Sequence, residues 1–205
     1  MRKLTFVIDL DRCIGCKGCQ VACKMENDIA LGTGRNSVKT IGPLGKYPNL
    51  TMYFLPTMCQ HCENPSCVAV CPTGACYQNP EDGVVLINQD QCIGCMRCKN
   101  ACPYDANTLN KELRVMDKCT LCAQSREDGE MPACVRNCSG SALMFGDISD
   151  PESEVSKRLK AAKPENIHQL KDFGNKPSVY YILRNAPWQD VLPQKCDETG
   201  KGRRH

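Results

Sequence analysis

Large aromatic side chains are scarce in this sequence: Phe, Trp and Tyr make up 5% of 205 residues, with a single Trp. Aromatics normally dominate the area buried in a core, so a core of organic side chains alone is thin. Long apolar runs are absent as well. "VVLI" and "VYYIL" fall far short of the roughly 18 residues that cross a bilayer, which leaves a soluble chain or one held to a membrane by a partner. The basic start "MRKLTFVIDLDRCIGC" meets Asp9 and Asp11 too early for the apolar stretch of a secretion signal. "GPLGK" lacks the G-x4-G-K spacing of a phosphate loop, and no dinucleotide fingerprint is present.

What the chain has in excess is cysteine, 18 residues. That density approaches a disulfide scaffold. Such scaffolds belong to secreted chains, and cysteines packed this tightly along a chain rarely meet disulfide geometry. Seventeen of them fall into four groups. The first is Cys13, Cys16, Cys19, Cys23, spaced C-x2-C-x2-C-x3-C. The second is Cys59, Cys62, Cys67, Cys71, followed by Pro72 and trailed by Cys76. The third, Cys92, Cys95, Cys98, Cys102, repeats the first spacing and is followed by Pro103. The fourth, Cys119, Cys122, Cys134, Cys138, has a longer middle gap, and Cys196 stands alone in the tail.

C-x2-C-x2-C-x3-C-P is the bacterial-ferredoxin signature for a cubane iron–sulfur cluster. Three cysteines at i, i+3, i+6 in a tight loop converge on three corners of one cube. The glycine of "CIGC" lets the backbone wrap closely and turn amides towards sulfur. The fourth cysteine leads away on the next helical turn, and in two-cluster ferredoxins it binds the other cluster. Zinc uses two C-x2-C pairs with a longer gap. The fourth group alone suits that pattern, but the third cysteine of groups one and three does not. Formal net charge is +3 with neutral thiols. Four oxidised clusters at about −2 each would bring the holoprotein near −5, so the Lys and Arg count is no argument for nucleic acid.

The chain also repeats internally. Residues 7–23, "VIDLDRCIGCKGCQVAC", align without gaps on 86–102, "LINQDQCIGCMRCKNAC". Each copy opens on a short strand-like run, "TFVID" or "GVVLIN". "CPTGA", "CPYDA" and "CSGSA" mark the turn out of a cluster helix into the next strand. The expected class is α+β: two ferredoxin-like two-cluster modules, one inserted in the other, plus a C-terminal helix and an extended strap. Residues 1–58 and 107–146 form the outer half, with 24–58 read as a loop carrying one strand near "LTMYFLP". Residues 59–106 form the inserted module, and 147–205 supply helix, strap and a disordered tail. The helix is expected to start at Ser149 or Asp150, with Pro151 at its first position, Glu152 and Glu154 in its first turn, and Val155 and Leu159 on one face.

These features resemble the four-cluster iron–sulfur subunits of the molybdenum/tungsten bis-pterin oxidoreductases, the dimethyl sulfoxide reductase family. The resemblance rests on "IDLDRCIGCKGCQVACKMEN", "CQHCENPSCVAVCPTGA", "QCIGCMRCKNACPYDA", "KCTLCAQSREDGEMPACVRNC" and the tail "FGDISDPESEV…KPSVYYIL". It implies four [4Fe-4S] clusters and a ligand pairing: Cys13, Cys16, Cys19 with Cys138; Cys59, Cys62, Cys67 with Cys102; Cys92, Cys95, Cys98 with Cys71; and Cys119, Cys122, Cys134 with Cys23. It implies an electron-transfer subunit without substrate chemistry of its own. The partner would be a large Mo/W bis-pterin catalytic chain, with a quinol-oxidising membrane subunit as a further candidate. It also implies a soluble or peripheral location, periplasmic if the chain is exported with a twin-arginine-tagged partner and otherwise cytoplasmic. Ser139-Gly140 departs from the family's proline after the last cysteine, and there resembles the transhydroxylase and aromatic-dehydroxylase branch, so the complex implied is an anaerobic respiratory reductase or a related transhydroxylase or dehydroxylase. A formate-dehydrogenase or hydrogenase subunit, a free-standing polyferredoxin and a zinc-binding module are the alternatives.

Other residues carry blander expectations. His61, inside "CQHC", is read as a structural or supporting group near a cluster, His168 and His205 as solvated, and Cys76 as a small buried hydrophobe. Lys17 and Arg97 are read as solvated side chains beside their groups. Trp188 suits a partner anchor or a surface strap equally.

Overall fold

The fold described is a computed structural model, and it describes residues 2–190. Cys196, His205 and the expected disordered tail lie outside the described residues. The helices are α1 (Gly18–Glu26), α2 (Ser66–Ala69), α3 (Arg97–Ala101), α4 (Ala123–Glu127), α5 (Ala133–Arg136) and α6 (Glu154–Ala161). The strands are β1 (Leu4–Asp9), β2 (Asn36–Lys46), β3 (Asn49–Met58), β4 (Cys76–Gln78), β5 (Val85–Ile87), β6 (Thr108–Asn110), β7 (Val115–Asp117), β8 (Leu143–Asp147), β9 (Ile167–His168) and β10 (Tyr180–Ile182).

All six residues of β1 are buried. A strand with that pattern must be covered on both faces. It sits inside a four-stranded sheet of order β8-β1-β10-β9, antiparallel to β8 and parallel to β10. Side chains alternate across a strand. Leu4, Phe6 and Ile8 enter the main core with Tyr53, Leu55, Phe145 and Tyr181. Val7 faces the other way, onto Met144, Val155 and Ile182 beneath α6. Asp9 ends the strand with no exposed surface and receives Arg184 at 2.9 Å and Arg158. This ties β1 to α6 and to the segment after β10.

The remaining strands pair as hairpins: β2 with β3, β4 with β5, β6 with β7. The first corrects the expected loop at 24–58. The strand at "LTMYFLP" exists, but an eleven-residue partner precedes it. Gly42, Pro43 and Gly45 carry the loop composition, and a register shift between Ile41 and Leu44 accommodates them within the ladder. Cross-strand bonds outweigh the local breaker signal there.

Helix α6 also starts later than expected, at Glu154, with Ser153 as its cap; Ser153 Oγ accepts from Ser156 N at 3.2 Å. Asp147 and Asp150 instead hold turns, accepting from Ser149 N and Glu152 N at 2.9 Å each. Local hydrogen bonds of this kind compete with helix initiation. "KPSVYYIL" supplies β10, and Tyr181 and Ile182 there are fully buried. The strap therefore completes the chain's own sheet.

Candidate metal centres

One backbone turn recurs in all four cysteine groups. The third residue of each C-x2-C unit is left-handed: Gly15 at φ 68°, His61 at 42°, Gly94 at 66° and Leu121 at 57°. The residues after the turn lead into a short helix. Lys17 and Met96, also left-handed, open α1 and α3. Glycine was legible as the turn residue in "CIGC"; His61 and Leu121 in the same role were not. At Gly94 the need is steric as well as conformational, because a Cβ there would lie 2.2 Å from the Arg114 carbonyl oxygen. Gly94→Ala is therefore expected to destabilise the holoprotein by more than the ~1–2 kcal/mol of left-handed strain alone. Gly32→Ala is the control, since Gly32 is left-handed with nothing within 4 Å of a new Cβ. Thermal midpoints and iron content of the two variants check this.

The groups come together in space across the sequence. One cavity is lined by Cys23, Cys119, Cys122 and Cys134. A second is lined by Cys59, Cys62, Cys67 and Cys102. A third is lined by Cys71, Cys92, Cys95 and Cys98, with Cys76 beside them. Each takes three cysteines from one group and at least one from another; in the third, Cys76 accompanies Cys71. Cys13, Cys16, Cys19 and Cys138 are mutual neighbours too. The Cys19 thiol is pushed up to about 11, by burial first and then by the Cys13, Cys138 and Cys16 sulfurs. The helices follow the same logic: α1 packs on α5, and α2 on α3.

Among the described residues no disulfide forms, and no three His, Cys, Asp or Glu side chains converge closely enough to hold a single metal ion. A tetrahedral zinc site needs sulfurs at about 2.3 Å from one point. The cysteines here line cavities, an arrangement suited to a cage of atoms. Backbone amides already address several sulfurs: Met116 N to Cys92 Sγ at 3.3 Å, Ala142 N to Cys138 Sγ at 3.2 Å and Cys76 N to Cys71 Sγ at 3.3 Å. Asn27 Nδ2 reaches both Cys23 and Cys122 Sγ at 3.8 Å. Hydrogen bonds to sulfur are a main lever on cluster potential. The donor set and its amides fit a cubane cluster.

Burial also pushes the Cys23, Cys98 and Cys102 thiols up to about 11 and Cys119 up to about 12. Cys67 moves the other way, to about 7, chiefly through a hydrogen bond from the Cys76 thiol. Cys76 is thus buried as expected, and it also donates to a neighbouring sulfur. His61 is buried, and its Nδ1 accepts from Val85 N at 3.1 Å. The ring is neutral, since burial, then Lys118 and Arg126, press its pKa well below the usual histidine value. Its Nε2 has no protein partner.

Lys17 and Arg97 are exposed, and Arg97 borders the cavity of Cys92 and Cys95. The expectation for His168 needs correction: it is half-buried and stacks on Trp188, ring centroids 4.8 Å apart. Trp188 also leans on Tyr181 at 5.6 Å, so it serves the chain's own packing. At Ser139-Gly140, a Cβ on Gly140 would lie 2.3 Å from the Arg12 carbonyl oxygen. That close approach sets the turn where proline was expected. Sequence reasoning missed Lys118, a fully buried lysine directly before Cys119, because an isolated lysine normally signals surface.

Residues 50–148 match a family described as a 4Fe-4S dicluster domain, and residues 12–75 match a second family of the same description. The B subunit of the sulfite dehydrogenase of Allochromatium vinosum is 38% identical, the alignment covering 95% of this chain and 89% of that protein. The B subunit of the tetrathionate reductase of Salmonella typhimurium is 41% identical, over 88% of this chain and 72% of that protein. The B component of the polysulfide reductase of Wolinella succinogenes is 42% identical, over 88% of this chain and 94% of that protein.

Proposed function

Since this protein belongs to the four-cluster ferredoxin-type electron-transfer subunits of the dimethyl sulfoxide reductase family, we propose that it connects a large Mo/W bis-pterin catalytic subunit to a membrane subunit that oxidises quinol. The chain is an iron–sulfur subunit with four [4Fe-4S] clusters, and it relays electrons singly to or from a catalytic subunit. When bound, the clusters supply reversible one-electron storage. The protein's work is to hold them, space them, exclude water and tune them. No substrate chemistry of its own is proposed.

The ligand sets proposed are Cys13, Cys16, Cys19, Cys138; Cys23, Cys119, Cys122, Cys134; Cys59, Cys62, Cys67, Cys102; and Cys71, Cys92, Cys95, Cys98. The observation that carries this is the lining of three cavities, each by three cysteines of one group and at least one of another. Neighbour relations support the order just given. Cys19 acts on Cys134, Cys59 on Cys119, and Cys67 on Cys98. Cys16 and Cys95 are the exposed cysteines among the described residues, one at each end of that order. Electrons would enter and leave there.

The same grouping supports the insertion of residues 59–106 between 1–58 and 107–146, and the strand β10 of the C-terminal segment pairs with β1 of the outer half. Among the described residues no helix is long and apolar enough to cross a membrane. Attachment would then be peripheral, on the periplasmic side if a twin-arginine-tagged partner carries the chain across and otherwise on the cytoplasmic side. Relatives named as reductase and as dehydrogenase subunits both align, so the partner would set the direction of flow.

The test is anaerobic purification of the native complex through a tag on this chain. About sixteen irons per chain, bleaching by dithionite, and a co-purifying large subunit containing Mo or W are expected. Far fewer irons, or a large subunit without a pterin metal, would contradict the reading.

A further inference from the structure

Lys118 follows β7 and immediately precedes Cys119. Its side chain is buried, with 1% of the residue exposed. The ammonium donates to the Cys119 carbonyl at 2.9 Å and to the Val85 carbonyl. Val85 lines the cavity of Cys59, Cys62, Cys67 and Cys102. Cys119 lines the cavity of Cys23, Cys122 and Cys134. The ammonium therefore stands between the two inner cavities, hydrogen-bonded to a wall of each.

Its lack of a carboxylate is the telling feature. Arg35, beside one of these cavities, is neutralised by Asp117 at 2.8 Å, and Arg126 pairs with Asp82 at 3.5 Å. Among the described residues no carboxylate pairs with Lys118. A buried charge held only by two carbonyls is strongly unfavourable, so the compensating negative charge must come from elsewhere. Cys119, the next residue, lines one cavity, and Cys59, Cys62, Cys67 and Cys102 line the other beside Val85. The anions within reach of it are the cluster-binding sulfurs themselves.

We propose that Lys118 is a built-in counter-charge shared by the two inner clusters, which favours their reduced state and raises their reduction potentials relative to a neutral interior. The proposal rests on the four-cluster reading above. An added electron makes a cluster more negative, so a fixed cation nearby stabilises the reduced form. In a sequence of four centres, that placement keeps the middle of the path from becoming an uphill step.

The experiment uses the full-length holoprotein, with EPR-monitored redox titration and iron analysis of Lys118→Gln, Lys118→Arg and the exposed control Lys111→Gln. Glutamine keeps two N–H donors and removes the charge; arginine keeps the charge. In Lys118→Gln the reduced-to-oxidised ratio of two clusters at fixed potential should fall on the order of tenfold, equivalent to a midpoint about 59 mV lower for one electron. Lys118→Arg and Lys111→Gln should titrate with the wild type. Retention of iron by the arginine variant but not the glutamine variant would also support the counter-charge. Unchanged potentials in an iron-replete Lys118→Gln protein would overturn it, as would equal loss of iron in both Lys118 variants, which marks a packing role. A wild-type protein lacking about sixteen irons would instead defeat the four-cluster reading, a distinguishable failure.

Discussion

Stripped of iron by anaerobic chelation, the protein is expected to lose its tertiary structure, with no cooperative thermal transition and collapsed near-ultraviolet circular dichroism. The cluster cavities and the core are one body: Cys19, Cys59, Cys62, Cys102 and Cys134 belong to the same buried cluster as Phe6, Leu55 and Tyr181. The helices that contain cysteines of the four groups run to four, five or nine residues, below the roughly 12–15 at which an isolated helix becomes marginal. Magnitudes decide the outcome. A structural metal site in small domains supplies about 10–16 kcal/mol, and the net stability of a whole domain is only about 5–15 kcal/mol. Four sites of comparable worth exceed that margin. Because burial holds Cys19, Cys23, Cys98 and Cys102 as thiols up to about pH 11, loading must expel protons, and retention weakens as pH falls. A cooperative melting transition in fully iron-free material would contradict this account.

A second large effect separates the crossed ligand pairing from a sequential one. Cys134→Ala and Cys138→Ala lie four residues apart in one group, yet their sulfurs sit with different partners: Cys134 with Cys119, Cys122 and Cys23, and Cys138 with Cys13 and Cys19. Each single variant is expected to lose about four irons, and the Cys134→Ala/Cys138→Ala double variant about eight. The Cys16→Ala/Cys138→Ala double variant should lose no more than either single one, since under the proposed pairing those two sulfurs serve the same cluster. If each contiguous group held its own cluster, the pattern would invert. Iron content with EPR of each variant reads the difference, and the inverted pattern would refute the pairing.

The sites were legible to different depths. Cysteine spacing, the repeat of 7–23 in 86–102 and the exit turns are local features. Cys76, Thr108 and Leu143 begin strands β4, β6 and β8 a few residues after "CPTGA", "CPYDA" and "CSGSA" open. The buried alanines of those turns, Ala75, Ala106 and Ala142, fit the same reading. Where long-range pairing or side-chain competition governs, local signals misled. Strand β2 survives Gly42, Pro43 and Gly45 because β3 lies alongside it. Helix α6 waits for Ser153 because Asp147 and Asp150 bond nearer amides first. His168 is sheltered by Trp188, twenty residues onward.

What this sequence determines alone is therefore the chemistry: three ligands in a tight loop require neighbouring positions and a left-handed turn, and both are written in consecutive residues. Tertiary structure decides the company those ligands keep. It places a fourth cysteine from another group beside each set of three, slots β10 against β1, and leaves Lys118 buried between two cavities with no carboxylate partner among the described residues. Those outcomes depend on contacts between residues tens of positions apart and on the charge balance of a closed interior, neither of which any local pattern encodes.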